Sequence, residues 1–123
     1  MATVDLTKEN FEELASKNDF VIIDFWAPWC GPCKSFGPIF EEVSEKHSDI
    51  VFGKVNTEEQ QELAAHFQVR SIPTLMIMRE QVIIFSQPGA LQASQFEDLI
   101  EKARELDMKE VHAKVAEQQG QQG

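Results

Sequence analysis

Two cysteines in a chain of 123 residues are too few to staple a disulfide scaffold. Basic residues are scarce as well, 11 lysines and arginines against 21 aspartates and glutamates. The resulting formal net charge of −10 argues against nucleic acid or an anionic membrane as a partner. The longest apolar run, Val21 to Trp29, is broken by Asp24 and Pro28 and is too short to span a bilayer. The start, Met1-Ala2-Thr3-Val4-Asp5-Leu6, has neither a basic cluster nor an apolar stretch of secretory-signal length, so a soluble cytoplasmic protein is expected. There is no glycine-rich dinucleotide-binding motif and no internal repeat.

What is present suits one globular domain, long enough to enclose a core without metal or disulfide staples. The acidic side chains are scattered, which fits a solvated surface. Thr3 to Leu6 reads as a short strand. Asn10 followed by Glu13 resembles a capping box for a helix to about Lys17. Val21 to Trp26, rich in β-branched and aromatic residues, reads as a buried central strand. A long helix is expected from about Cys30 to His47, with Ile39, Phe40 and Val43 facing the core and Pro38 kinking it.

Ile50 to Asn56 is the next expected strand, and Thr57 with Gln60 the cap of a helix through Ala64 and Phe67. Two strands follow, Thr74 to Met78 and Val82 to Ser86. Their junction at Glu80-Gln81 lacks the glycine or asparagine of a tight hairpin, so a looser or longer turn is expected. Ser94 with Glu97 predicts the cap of a last helix carrying Phe96, Leu99, Ile100 and Ala103 on one face. The order β-α-β-α-β-α-β-β-α implies an α/β fold: a mixed sheet of about five strands, parallel in its first half, antiparallel at one edge, with helices on both faces. Residues 1–107 form the expected domain. Residues 108–123 form an extension, a short helix and then a disordered Gln/Gly-rich end, and a chain ending at Asp107 is expected to keep the fold.

Cys30 and Cys33 stand two residues apart in Trp29-Cys30-Gly31-Pro32-Cys33. A zinc half-site needs two further ligands, and only three scattered histidines (His47, His66, His112) are on offer. Two inert core cysteines have no need of an intervening Gly-Pro. A redox pair fits better. At a helix N-terminus this spacing puts both sulfurs on one face, within disulfide reach, and the free N–H groups of the first turn favour a thiolate at the first cysteine. Cys30, at an exposed tip, is then the attacking thiol and Cys33, one turn in, the resolving one. Pro32 suits the first turn because its missing donor is not needed there.

The stretch Asp24-Phe25-Trp26-Ala27-Pro28-Trp29-Cys30-Gly31-Pro32-Cys33-Lys34 closely resembles the active-site segment of the thioredoxin family. Pro38 resembles that family's helix-kinking proline, Lys54 its buried lysine, Ile72-Pro73-Thr74 its cis-proline loop, and Gly89-Ala90-Leu91 the segment before its last helix. The resemblance covers about residues 3 to 107 and leaves the extension outside. It implies the thioredoxin fold, a redox disulfide between Cys30 and Cys33, and a cis bond at Pro73.

It further implies that Ile72 presents its backbone to an extended substrate, with Trp29, Gly31, Pro32, Pro73, Gly89 and Ala90 completing a docking surface. For Trp29 plain packing over the helix start is the competing reading, and for Gly89 a turn position. Asp24 is a lone acid in an apolar strand and must be neutral, paired or internally solvated; Lys54 on the neighbouring strand is its expected partner. The resemblance favours Asp24 as a proton relay to Cys33, against an acid kept only for packing. Lys34 either assists thiolate formation or is a solvated helix lysine.

The implied activity is protein-disulfide reduction by dithiol–disulfide exchange, serving cell redox homeostasis. The implied partners are disulfide-containing proteins and a thioredoxin reductase that carries the NADPH, with no metal or bound cofactor on this chain, which is expected to be a monomer. A disulfide oxidase or isomerase is opposed by the Gly-Pro dipeptide and the missing signal peptide. An adaptor with incidental thiols is opposed by the intact Cys-Gly-Pro-Cys together with Asp24 and Pro73.

Overall fold

The most apolar segment of the sequence becomes the centre of the sheet. The computed structural model describes residues 2–122, in the order β1 (Thr3–Asp5), α1 (Phe11–Lys17), β2 (Phe20–Trp26), α2 (Gly31–Ser44), β3 (Val51–Asn56), α3 (Gln61–His66), β4 (Thr74–Arg79), β5 (Val82–Pro88), α4 (Ala93–Glu105) and α5 (Met108–Gln122). The five strands lie in the spatial order β1-β3-β2-β4-β5. Pairing is parallel for β1 with β3 and β3 with β2, and antiparallel for β2 with β4 and β4 with β5. The mixed α/β sheet expected from the sequence is thus formed.

Because side chains alternate along a strand, each face of the sheet gathers its own core. On one face Ile22, Phe52, Leu75 and Ile77 meet Phe36, Phe40 and Val43 of α2 and Phe96, Ile100 and Ala103 of α4. Phe40 and Phe96 stack with ring centres 5.9 Å apart. On the other face Val21, Ile23, Phe25, Val55, Met76 and Met78 meet Leu63 of α3, with Phe11 and Leu14 of α1 at the rim. Gly53 is required on this face, where a β-carbon would overlap the Leu6 side chain. Among the described residues no helix is long and apolar enough to cross a membrane.

The helices form in the expected order, but α3 begins later and α4 earlier than expected, and the caps differ. Asn10 precedes α1 without capping it; its amide is turned back to Thr7 and Asp5. Thr57 spends its hydroxyl on the Trp26 carbonyl, 3.0 Å away, and α3 starts after an uncapped Gln60. The reciprocal box at α4 is made by Gln92 and Gln95, two residues before the expected Ser94 and Glu97. The β4–β5 turn is tight, not loose: Arg79 pairs with Val82, and Glu80 and Gln81 between them both take positive φ, 51° and 66°. A hydrogen bond of 2.7 Å from the Glu80 amide to the Asp19 carbonyl holds the turn in place.

The extension also departs from expectation. It forms one helix, α5, through Gln122, in place of a short helix and a disordered end; Gly123 lies outside the described residues, as does Met1. Met108 is buried, and the His112 ring meets the Glu80 carboxylate at 2.9 Å. Arg79 donates to the carbonyls of Ala103 and Leu106 at 3.0 and 3.1 Å, fastening the end of α4 beside the same turn.

The histidines serve this packing and not the thiols. His47 Nδ1 faces Arg104 Nη2 at 2.8 Å, and a guanidinium only donates, so Nδ1 accepts and Nε2–H donates to Glu97 at 2.5 Å. Arg104 also grips both oxygens of Asp49 and holds that carboxyl down to about 2. His66 packs edge-on against Phe67.

Candidate active site

Strand β2 carries the chain into the interior as far as Trp26, and the next four residues turn it into α2. Ala27 is fully buried, and its carbonyl accepts the Cys30 amide at 3.2 Å. Cys30 is the residue that precedes the helix, with extended backbone; its sulfur accepts the Cys33 N–H at 3.2 Å. That is a direct contact between a first-turn donor and the first sulfur, the arrangement that stabilises a thiolate there. Pro32 sits in the first turn, where no donor is lost.

Cys30 and Cys33 are joined in a disulfide with Cα atoms 5.2 Å apart. The exposed tip expected for Cys30 is not seen in this oxidised pair: the two residues are 4% and 5% exposed. Each sulfur covers the other, and Ala27, Trp26 and Ile72 pack against both. Burial therefore does not separate their roles. Cys33 lies on the wall of a groove of about 360 Å³ that also takes in Trp26, Lys34, Pro38, Glu41 and Lys54.

The Ile72–Pro73 bond is cis. Pro73 is buried and Ile72 half-buried against the cysteines. The loop is fixed from both sides, by the Thr74 hydroxyl on the Ser71 carbonyl at 2.6 Å and by the Gly89 amide on the Pro73 carbonyl at 2.8 Å. Gly89 has φ +112°, a conformation side chains disfavour, so the turn reading of this glycine holds together with its place beside the loop. Gly31, Pro32, Gly89 and Ala90 are exposed, and Trp29 is 67% exposed. Trp29 is therefore not enclosed by the packing over the helix start. Its indole N–H is held by the Glu58 carboxylate.

Asp24 is 1% exposed, and neither carboxylate oxygen has a hydrogen-bond partner among the described residues. Burial pushes its carboxyl up to about 7, against the opposing pull of the Lys54 charge. Lys54 is its register neighbour on β3, as expected, yet the two form no ion pair. The ammonium instead lies over the Trp26 ring, 5.0 Å from its centre, and Lys54 is half-buried and not fully enclosed.

Four residues contribute in ways that the sequence did not assign to them. Glu58 reaches Trp29 across 29 residues of sequence, with no local signal. Trp26 reads as a strand aromatic, yet its buried indole N–H has no partner among the described residues and it walls the groove beside Cys33. Ser71 and Thr74 frame Pro73; a Ser-x-x-Thr around a proline was the available hint. Among the described residues no group of three or more His, Cys, Asp or Glu is placed to hold a metal.

The sequence model of the Thioredoxin family matches residues 2–102. The chain belongs to the thioredoxin family. It is 60% identical over 122 residues to a putative thioredoxin 2 of Streptomyces coelicolor, covering 99% of this chain and 91% of that one. It is 36% identical over 101 residues to a thioredoxin of Buchnera aphidicola, covering 80% and 94%. Among solved structures, a mutant thioredoxin from Halobacterium salinarum superposes with a TM-score of 0.77 at 31% identity, over 85% of this chain and 92% of that one. The fold is thus the thioredoxin fold. A thioredoxin-family chain with an intact Cys-x-x-Cys pair is a protein-disulfide oxidoreductase with a disulfide-reducing role. The Streptomyces match runs through α5, so the extension has a counterpart there.

Proposed function

We propose that Cys30 and Cys33 reduce disulfides in other proteins, with Cys30 as nucleophile and Cys33 as resolving thiol. The Cys30 thiolate attacks one sulfur of a substrate disulfide, forming a mixed disulfide and releasing the first substrate thiol. Cys33, losing its proton to Asp24, attacks Cys30; the second substrate thiol leaves, and the Cys30–Cys33 disulfide closes. Two electrons pass to the substrate; its first sulfur leaves as a thiolate and takes a proton from water, and its second takes the Cys33 proton from Asp24. The observation that carries this reading is the Cys33 N–H on the Cys30 sulfur at 3.2 Å, which favours a thiolate at the first position.

Ile72, cis-Pro73, Trp29, Gly31, Pro32, Gly89 and Ala90 dock the substrate backbone beside the disulfide. Lys54 tempers the upward push on Asp24. Electrons come from NADPH through a thioredoxin reductase, so this chain binds no cofactor. It acts as a monomer in the cytoplasm, with residues 1–107 as the catalytic domain and residues 108–123 as an added element.

The test is insulin reduction with NADPH and a thioredoxin reductase, joined to trapping from a lysate. Turnover is expected for the wild type. Cys33→Ser is expected to accumulate mixed disulfides, and Cys30→Ser to accumulate none. Trapping by Cys30→Ser alone would invert the two roles, and absence of turnover would overturn the reading.

A further inference from the structure

A substrate disulfide lies within a polypeptide, and the surface around the thiols does not stop at Gly89 and Ala90. Strand β5 is an outer strand of the sheet, so one side of its backbone is unpaired by any strand. On the α4 side of this edge, Phe85, Leu91 and Leu99 are only partly buried at the rim of the core. Two depressions lie there. The inner one, about 60 Å³, begins at Gly89 and Ala90 and is lined by Phe85, Gln87 and Leu91. The outer one, about 290 Å³, shares those three residues and continues to Leu99 and, at its far end, Asp98 and Lys102. Shared walls make them one trough leading away from the cis-proline loop.

We propose that this trough extends the docking surface and seats an apolar side chain of leucine or phenylalanine size from the disulfide-bearing polypeptide, whose main chain pairs with the β5 edge. The proposal rests on the reductase reading and adds a substrate class to it. Continuity carries it: the Gly89 amide is bonded to the Pro73 carbonyl, so a chain crossing the cis-proline loop arrives at the inner mouth of the trough. From Gly89 back to Phe85 an extended chain travels roughly 13 Å, about four residues. Strand addition supplies sequence-tolerant affinity, and the trough supplies selection by size and apolarity. Asp98 and Lys102, of opposite charge one turn apart on α4, give the far end no preference for either sign.

The experiment uses disulfide peptides with a serine and glycine background in which one leucine is moved from three to eight residues on either side of the reacting cysteine. On the wild-type protein, kcat/KM is expected to rise roughly fivefold or more when the leucine stands at one or two adjacent positions on one side. Leu99→Gln is expected to erase that rise while leaving the rate with the leucine-free peptide unchanged. A flat profile on wild type would overturn the proposal, with no variant needed. So would a rise that survives Leu99→Gln, since the side chain would then be seated elsewhere. A wild-type dimer dissolved by Leu99→Gln would give the trough to a second copy of the chain and equally overturn it. Failure to reduce even the leucine-free peptide would instead strike the reductase reading itself.

Discussion

Asp24 is the residue where structure and chemistry pull hardest against each other. A carboxyl whose ordinary value is 3.8 is pushed up to about 7 because it is sealed in the sheet with no hydrogen-bond partner among the described residues. Between roughly pH 4 and 7 the folded protein therefore keeps a proton that the unfolded chain has released. Stability falls as pH rises through that window, and the full penalty applies above it. Asp24→Asn removes the titration and keeps the shape. The variant is expected to match wild type near pH 4 and to exceed it by about 1–4 kcal/mol above pH 7, read from urea midpoints. The gain survives because Lys54 is not ion-paired to the acid; its ammonium rests on Trp26 and is not stranded by the change. Disulfide exchange is expected to slow, most from about pH 7 upward to where the thiols ionise unaided, because there the wild-type carboxylate is ionised and can accept the Cys33 proton, which asparagine cannot. Rates unchanged from pH 6 to 9 would remove Asp24 from the mechanism.

Among the elements, the β4–β5 turn holds strain that a single substitution can measure. Glu80 and Gln81 both sit at positive φ, where an L side chain costs about 1–2 kcal/mol. Glu80 has compensation in its amide bond to Asp19 and its carboxylate contact with His112. Gln81 has none of these. Gln81→Gly is expected to stabilise the protein by about 0.5–1 kcal/mol, and Gln81→Val to destabilise it by at least as much, both read from thermal melts. A glycine variant no more stable than wild type would mean that the turn carries no such cost. The same turn shows where sequence reading stops. The strands were legible, because β-branched and aromatic runs have few other uses, and so was the thiol pair, because its spacing meets a helix start. The caps were not. The Thr57 hydroxyl and the Asn10 amide each had a backbone partner outside the expected box, and only the folded chain decides which wins. The tight turn was hidden because its usual glycine is replaced by anchoring contacts from Asp19 and α5, remote in sequence.

Across the whole molecule, chemistry and extension occupy opposite ends of the sheet. In the β2–β4 register Phe25 stands opposite Thr74, beside the cis-proline loop, whereas Phe20 stands opposite Arg79, beside the turn that holds α5. Five residues of strand separate the two ends, roughly 17 Å. The extension is fastened at the far end by buried Met108, by the Glu80–His112 contact and, through the end of α4, by Arg79. Its removal is therefore expected to affect stability and not the thiols. A chain ending at Asp107 is expected to fold but to lose about 1–3 kcal/mol, most of it from Met108, since a part-exposed ion pair contributes under about 1 kcal/mol. Met108→Ala in the full chain is expected to reproduce most of that loss, and His112→Ala little of it. Exchange with a small aromatic disulfide is expected to stay within about twofold of wild type, because among the described residues the extension is fastened beside the β4–β5 turn and not at the α2 N-terminus or the Pro73 loop. Urea midpoints and exchange rates on the three variants separate the outcomes. A truncated chain as stable as the whole would mean that Met108 contributes nothing to the core. A truncated chain that exchanges about tenfold more slowly at equal fold content would mean that the two ends communicate through the sheet, contrary to the separation that its register describes.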